Sequence, residues 1–361
     1  TGSGYSLNDI LVKGRNNMNK LVEVFIRWTT HVAVLHTDVQ KMYNTVKLQE
    51  EDWCLQRYLW EENLEPSKFP QEKIIKTLIY GIKSSGNQAE YALRQTALAS
   101  KSEYPEANRI IQKDVYVDDC LSGANTKEKV TQLADEIQII LSRGGFTLKG
   151  FTFSGQSPLE SLSGDNKSIN VAGMNWYPED DKLELDITEL NFNKKHRGKK
   201  LQSLERNTIP KNLTRRLCVS KVAEIYDLVG KIPPLTAMMK CDLHDLVSRK
   251  LDWDDKIPDS LRHVWESHFE MIQNIKGIKF NRAVVPEDAI SLDINTIDTG
   301  DASHHLACAA IYARFKRKSG IYSCQLIFSR SKLIPQDMSQ PRVELFTATL
   351  NAHTGEIVKR S

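Results

Sequence analysis

The segment from His31 to Val39 constrains this chain more than any other. It is a short apolar run rich in Val and bounded by polar residues, the pattern of a buried strand. Near its end it carries one carboxylate, Asp38. An unpartnered charge at the end of a buried strand is costly, so Asp38 needs a reason to be there. Tyr116-Val117-Asp118-Asp119 lies where two short strands flank a tight turn and sets two more carboxylates side by side. Like charges that close repel, and a divalent cation between them removes the cost. A surface turn also carries Asp-Asp in a solvated form, so the pair alone leaves both readings open. With a helix between them, the strands of Asp38 and Asp118 can be neighbours in a βαβ-type sheet. Three carboxylates at one edge can hold two Mg²⁺ ions, which activate an attacking hydroxyl and stabilise a leaving oxygen in phosphoryl transfer.

The pattern around these residues alternates helix and strand. Residues 49–61 have helical spacing (Trp53, Leu55, Tyr58, Leu59), and Ile74–Tyr80 reads as a short strand. A helix is expected from Gln88 to about Leu98. An amphipathic one is expected over 126–143 (Val130, Leu133, Ile137, Ile140, Leu141), stopped by Gly144-Gly145. Strands follow near 146–153 and 170–176, then a hairpin to about 186. This order predicts an α+β sheet of the ferredoxin-like, split βαβ kind. From 201 to 275 the pattern is helical with a break at Pro233-Pro234. A linker follows near 276–290, and strands return over 291–330.

Composition adds exclusions. Six cysteines without a CxxC pair argue against a zinc ribbon or a disulfide framework and suit a reducing, intracellular, cytoplasmic setting. No apolar run approaches the roughly 18 residues that span a bilayer, so no membrane partner is expected. The net charge of +3 implies no nucleic-acid binding by itself, but its distribution does. Residues 194–216 contain nine basic residues, Lys194, Lys195, Arg197, Lys199, Lys200, Arg206, Lys211, Arg215 and Arg216, against the single acid Glu205. Such a cluster can neutralise backbone phosphates, or it can be a solvated loop. Thr1-Gly2-Ser3-Gly4, with no initiator Met, reads as the middle of a loop and the chain as an excerpt of something longer.

Taken together, these stretches resemble the Pol polyproteins of Bel/Pao long-terminal-repeat retrotransposons. The resemblance runs from Ser6-Leu7-Asn8-Asp9-Ile10-Leu11 through Thr37-Asp38-Val39-Gln40-Lys41-Met42-Tyr43. It continues through Tyr116-Val117-Asp118-Asp119-Cys120-Leu121-Ser122-Gly123-Ala124 and Gly144-Gly145-Phe146-Thr147-Leu148-Lys149. It implies a right-hand polymerase palm with partial fingers over 1–190, a helical thumb over 191–280, and the N-terminal part of an α/β ribonuclease H-like domain over 281–361. The implied activity is RNA-directed DNA polymerisation on an RNA/DNA template-primer from deoxynucleoside triphosphates, with Mg²⁺ (or Mn²⁺) as cofactor.

Carried over by motif, Asp38, Asp118 and Asp119 are the catalytic metal ligands, with the Val39 carbonyl facing a metal. Tyr43 is the steric gate that leaves no room for a 2′-hydroxyl. Gly81, within Tyr80-Gly81-Ile82-Lys83-Ser84-Ser85-Gly86, lets backbone approach substrate; the family has Pro where Gly86 stands. Lys149 lies near the phosphates. Trp176, in Ala172-Gly173-Met174-Asn175-Trp176, belongs to the hairpin that grips the primer, or is equally a core residue. The basic stretch, with Arg215 and Arg216 opening a thumb helix, contacts nucleic acid, and Leu251-Asp252-Trp253-Asp254-Asp255 is structural.

Near the C-terminus, Asp301 and Glu344 match the first two carboxylates of the ribonuclease H fold, with Asp298 a lesser candidate. The remaining carboxylates of that fold are expected beyond Ser361, so ribonuclease H activity is not expected of these residues. The family's fingers precede Ser6 and supply basic residues that hold triphosphate and template. Without them a second reading is a nucleic-acid-binding module that does not extend a primer. A third, an unrelated metal-dependent hydrolase, would need neither Tyr43 nor the turn at Gly81.

Overall fold

A computed structural model of the chain describes residues 4–61, 69–157, 167–187, 190, 192, 208–291, 294–335 and 337–361. The chain divides into two compact units, Thr1–Leu162 and Ser163–Ser361.

The first unit opens with α1 (Leu7–Ile10) and α2 (Leu21–Thr30), whose Val24, Phe25, Ile26 and Trp28 are buried. β1 (Ala33–Gln40) follows as the apolar run predicts, with all but Asp38 and Gln40 buried. After α3 (Met42–Thr45) the chain departs from expectation. Residues 50–55 form a 3₁₀ turn, and Arg57–Trp60 is a strand, β2, paired with β3 (Gln71–Ile74). The helical spacing of 49–61 is overridden by this cross-strand pairing, and the expected strand at Ile74–Tyr80 ends where it was to begin. Next come α4 (Ser85–Ala99) and α5 (Pro105–Lys113), β4 (Val115–Tyr116) and β5 (Asp119–Ala124). The unit closes with α6 (Lys127–Arg143), β6 (Thr147–Leu148) and β7 (Thr152–Phe153).

The main sheet has the order β4-β5-β1-β6, with β7 also pairing β1. All pairs are antiparallel. β1 thus lies between the hairpin β4–β5 and the last strands, a split βαβ arrangement. Its core joins Leu35 and Val39 of β1 to Leu93 and Ala97 of α4, Ile110 and Ile111 of α5, and Val130, Leu133, Ile137 and Ile140 of α6. At roughly 1.5–3 kcal/mol for each fully buried Leu or Ile, the helices hold the sheet's inner face, and the outer ends of β1 and β5 are left to carry polar groups.

Among its described residues the second unit contains two sheets. β8 (Ile169–Val171), β9 (Met174–Tyr177) and β10 (Lys182–Leu185) form a meander, to which β11 (Lys279–Asn281), inside the expected linker, adds a fourth strand. Among the described residues three helices lie between in sequence: α7 (Arg215–Ala223), α8 (Pro233–Ser248) and α9 (Asp259–Asn274). Pro233 and Pro234 start α8 and do not break it. A first-turn N–H has no intrahelical partner to lose, so Pro fits there. β12 (Asn295–Ala302), β13 (Leu306–Lys316) and β14 (Tyr322–Leu333) form an antiparallel sheet in that order. α10 (Gln340–Arg360) packs on it through Val343 and Leu350, against Ala307, Ala309 and Ile334. No helix among the described residues is long and apolar enough to cross a membrane.

Candidate functional site

The register of β1 against β5 builds the site in the first unit. Asp38 stands directly opposite Asp119, and the Val39 N–H donates to the Asp118 carbonyl at 2.8 Å. Asp118 sits in the two-residue turn between Tyr116 and Asp119, which are themselves paired. In that turn Val117 has φ +57°. A positive φ at the first central residue is the geometry of a type II′ turn, normally met with Gly. A β-branched residue there costs about 1–3 kcal/mol, the kind of local strain that clusters at functional sites.

The electrostatics follow from this geometry. Burial raises the Asp118 carboxyl above its ordinary value, and the neighbouring charges of Asp119 and Asp38 push it the same way. Two like charges directly opposite on neighbouring strands destabilise a sheet, so compensation is required. Lys149 supplies part of it. Its Nζ lies 2.9 Å from Asp38 Oδ1, and its backbone N–H donates to the Asp38 carbonyl at 3.0 Å. The hydrogen bond to Asp38 raises the Lys149 pKa. His36, a residue the sequence reading missed, supplies another part, with Nε2 3.3 Å from Asp119 Oδ1. The signal for it was a polar ring two residues before Asp38 in an otherwise apolar strand.

Tyr43 lies over the same edge, half-buried, with its ring 4.5 Å from that of Tyr80. Its phenol is raised above 10.0, first by burial and then by the charge of Asp118. A Cβ at Gly86 would stand 3.5 Å from the Tyr43 hydroxyl. Gly81 has φ +88° and faces open space. The loop it belongs to is held by Asn8, whose Nδ2 donates to the Gly81 carbonyl at 2.7 Å and whose Oδ1 accepts from the Lys83 N–H at 2.8 Å. This gives the Ser6–Asp9 motif a physical role: Asp9 closes a capping box on Ser6, and Asn8 clamps the 81–83 turn.

Asp38, Asp118 and Asp119 are hard oxygen donors, the chemistry that Mg²⁺ or Mn²⁺ prefers. Among the described residues, however, no three His, Cys, Asp or Glu side chains are gathered closely enough to hold a metal ion. Asp38 is paired instead with the Lys149 ammonium.

Other expected site residues fare differently. Trp176 is a correction: it has no exposed surface, and its indole donates to Asp181 Oδ1 at 3.0 Å. Asp181 is in turn held by the buried Arg282 through two bonds of 2.8 and 2.7 Å. Trp176 is a core residue of its sheet and presents nothing to a ligand. Lys194, Lys195, Arg197, Lys199 and Lys200 lie outside the described residues. Arg215 donates to the Leu251 carbonyl at 2.6 Å and lies 4.7 Å over the Trp253 ring. Arg216 grips Asp254 at 2.7 and 2.9 Å. The Leu251–Asp255 segment is therefore structural, and it engages the two arginines that open α7.

In the second unit, Asp301 at the end of β12 and Glu344 in the first turns of α10 line one open pocket of about 300 Å³. Gln340, Thr347 and Asn351 complete its polar lining. Both carboxylates are exposed, and Asp301 Oδ1 accepts from the Ala302 N–H at 2.8 Å. Asp298 lies apart from this pocket, its Oδ2 only 2.6 Å from where a Cβ at Gly355 would stand.

Residues 214–361 match the family described as the Pao retrotransposon-like RNaseH-like domain. Among solved structures, the chain resembles the foamy viral protease-reverse transcriptase in complex with an RNA/DNA hybrid. The TM-score is 0.56 at 12% identity, over 98% of this chain and 40% of that one. It also resembles the foamy viral protease-reverse transcriptase dRH in complex with double-stranded DNA. There the TM-score is 0.58 at 13% identity, over 98% of this chain and 52% of that one. No curated protein matches the sequence. The chain thus has a fold similar to that of these reverse transcriptase structures, and its residues 214–361 are similar to the Pao retrotransposon-like RNaseH-like domain. It spans about half or less of the structures it resembles.

Proposed function

We propose that this chain is the palm-centred part of an RNA-directed DNA polymerase, transferring nucleotides onto a primer 3′-OH at Asp38, Asp118 and Asp119. The observation that supports it most directly is the register that sets Asp38 opposite Asp119, with Asp118 in a strained turn beside them. In this reading residues 1–190 are palm with partial fingers, 191–280 thumb, and 281–361 the start of a ribonuclease H-like domain. For the three carboxylates and the Val39 carbonyl to hold Mg²⁺ or Mn²⁺, Asp38 would have to exchange Lys149 for the ion, which would then supply charge stabilisation for the transferring phosphate. The chain's own residues do the rest. Tyr43, fixed against Tyr80, closes the space under the sugar and excludes a 2′-hydroxyl. Lys149 keeps a cation at the carboxylate edge, suited to a triphosphate. The basic residues of 194–200 hold template-primer backbone, so binding falls steeply with salt.

The neighbours' RNA/DNA and DNA complexes support a nucleic-acid partner for this chain. Ribonuclease H activity is not part of this proposal; among the described residues the pocket lining brings two carboxylates together, Asp301 and Glu344. A second reading, binding without extension, is favoured by one observation: the ion pair of Lys149 on Asp38 in place of a gathered metal cluster. Mg²⁺-dependent extension of a DNA primer on an RNA template separates the two. Extension by the parent that Asp118→Asn loses supports the polymerase; salt-sensitive binding by both proteins with no extension supports the second reading.

A further inference from the structure

We propose that one face of the hairpin β2–β3 is a stacking platform for single-stranded nucleic acid, with Tyr58 and Trp60 receiving bases and Lys73 a flanking phosphate. This surface deepens the nucleic-acid reading of the chain, on which it rests, and needs no metal ion.

β2 and β3 form a two-stranded sheet of their own, and all eight of their residues are exposed. A lone ribbon gains little from its own pairing, and this one carries large side chains that no core covers. Side chains alternate between the two faces of a strand, and the register sorts them. Tyr58 stands opposite Lys73 and Trp60 opposite Gln71, so these four share one face. Arg57 opposite Ile74 and Leu59 opposite Glu72 make the other. Arg57 and Glu72 pair at 3.0 Å, so that second face is balanced in charge. The first face has two aromatic rings, an amide and an ammonium, with no carboxylate among its paired residues. Lys73 Nζ lies 5.3 Å from the Trp60 ring centroid, across the diagonal of the ladder. Tyr58 and Trp60 are 40% and 46% exposed.

Aromatic faces beside a cation, with no acid among them, suit bases joined by phosphates. Every base has a ring face to stack, and the backbone between bases is anionic. The spacing selects a single strand. The two ring centroids are 6.5 Å apart and their planes 78° from parallel. Bases stacked in a duplex lie parallel, with a rise of about 3.4 Å. Two neighbouring bases meet these two rings only when pulled apart and turned, which a duplex forbids and a single strand allows. Stacking reads no base edge, so the platform takes any sequence.

The test is equilibrium binding by fluorescence anisotropy on the full chain, in EDTA. The probes are a labelled short oligouridylate and an abasic strand of the same length and charge. The parent is expected to prefer the oligouridylate by about tenfold or more. Trp60→Ala and Tyr58→Ala are each expected to weaken oligouridylate binding about tenfold and to leave the abasic strand unchanged. Trp60→Phe is expected to keep most of the preference. Lys73→Ala is expected to weaken both strands and to lower the slope of log affinity against log salt by about 0.7. Leu59→Ala, on the opposite face, is expected to change neither, which separates the platform from the integrity of the hairpin. A loss in Leu59→Ala as large as in Trp60→Ala, or no loss in either aromatic variant, overturns the inference. A parent that binds the two strands equally keeps the nucleic-acid reading through phosphate contacts and overturns the platform alone; a parent that binds neither removes both. Self-association of the parent that Trp60→Ala abolishes, with no base preference, assigns the face to a second copy of this chain and overturns the inference.

Discussion

The two carboxylate groups of this chain, one in each compact unit, sit in opposite surroundings. Asp38 and Asp119 face each other across paired strands, partly covered, with Lys149 and His36 each holding one of them. Asp301 and Glu344 are exposed in the lining of an open pocket, and the contact found for Asp301 is its own neighbour's N–H. Charges crowded out of water at a structural cost need something to justify them; charges already solvated do not. The first pair is the better candidate for chemistry, although the matched family description covers only the second.

The sharpest way to break this comparison is to remove one group at a time. Asp118→Asn is expected to lower primer extension by about 10³-fold or more, since removing one member of a unit that acts together costs nearly as much as removing all. Asp301→Asn with Glu344→Gln is expected to leave extension unchanged. Rapid-quench kinetics on one template-primer check both. A large loss from the second pair of changes would reverse the ranking of the two sites.

Glycines sharpen the contrast on stability. Gly230 has φ +67°, and a Cβ there would stand 2.2 Å from the Ser329 carbonyl oxygen. The Ser329 N–H donates to the Val229 carbonyl at 3.0 Å, so this segment is tied to β14. Gly230→Ala is expected to destabilise the chain by about 2–4 kcal/mol, through both strain and backbone clash. Gly81→Ala, at φ +88° with open space around it, carries the strain alone and is expected to cost about 1–2 kcal/mol. Urea unfolding midpoints measure both. Equal costs would mean that the Ser329 contact yields on substitution.

What could be read in advance divides along similar physical lines. β1, α4 and α6 were legible because burial imposes a period on their side chains, and Asp38 stood out against that period. The strand Arg57–Trp60 was not, because its pairing with Gln71–Ile74 lies across an intervening segment and overrides the helical spacing of Trp53, Tyr58 and Leu59. α5 was passed over, although Pro105 at its start and buried Ala107, Ile110 and Ile111 mark one face of a helix. At the site, the acidic residues and Tyr43 follow from motif and spacing. His36 does not, because its role depends on a cross-strand diagonal that only the register reveals. Trp176 stayed open between primer grip and core because an aromatic residue in a hairpin reads alike whether it faces a ligand or a core, and its full burial puts it in the core.

Nucleotide selection gives a smaller effect. Tyr43→Ala is expected to reduce discrimination against ribonucleotides by about 10–100-fold, the range that a single added hydroxyl can be worth in a shaped pocket. Competition between deoxy- and ribonucleoside triphosphates in single-nucleotide extension reads it directly. Discrimination that survives the change would place the gate elsewhere and leave Tyr43 as a packing partner of Tyr80.

The smallest effect separates the cost of the site from its use. The Asp118 carboxyl is held above 3.8 by burial and by its acidic neighbours. The folded chain therefore binds that proton more tightly than the unfolded chain, and stability falls as pH rises from 3.8 through the folded value. At neutral pH the ionised Asp118 is a burden on the fold. Asp118→Asn, inactive in extension, is expected to raise Tm by about 1–3 °C at pH 7 without divalent metal. The gain should shrink as pH falls and vanish below 3.8, where the carboxyl is protonated in both folded and unfolded chains. Asp301→Asn, solvated and uncrowded, is expected to change Tm at neither pH. Calorimetry of the three proteins at the two pH values decides it. A parent that unfolds at the same temperature as Asp118→Asn at pH 7 would mean that Lys149 already cancels the repulsion at this edge, and that the strain of Val117 is the only price the site carries.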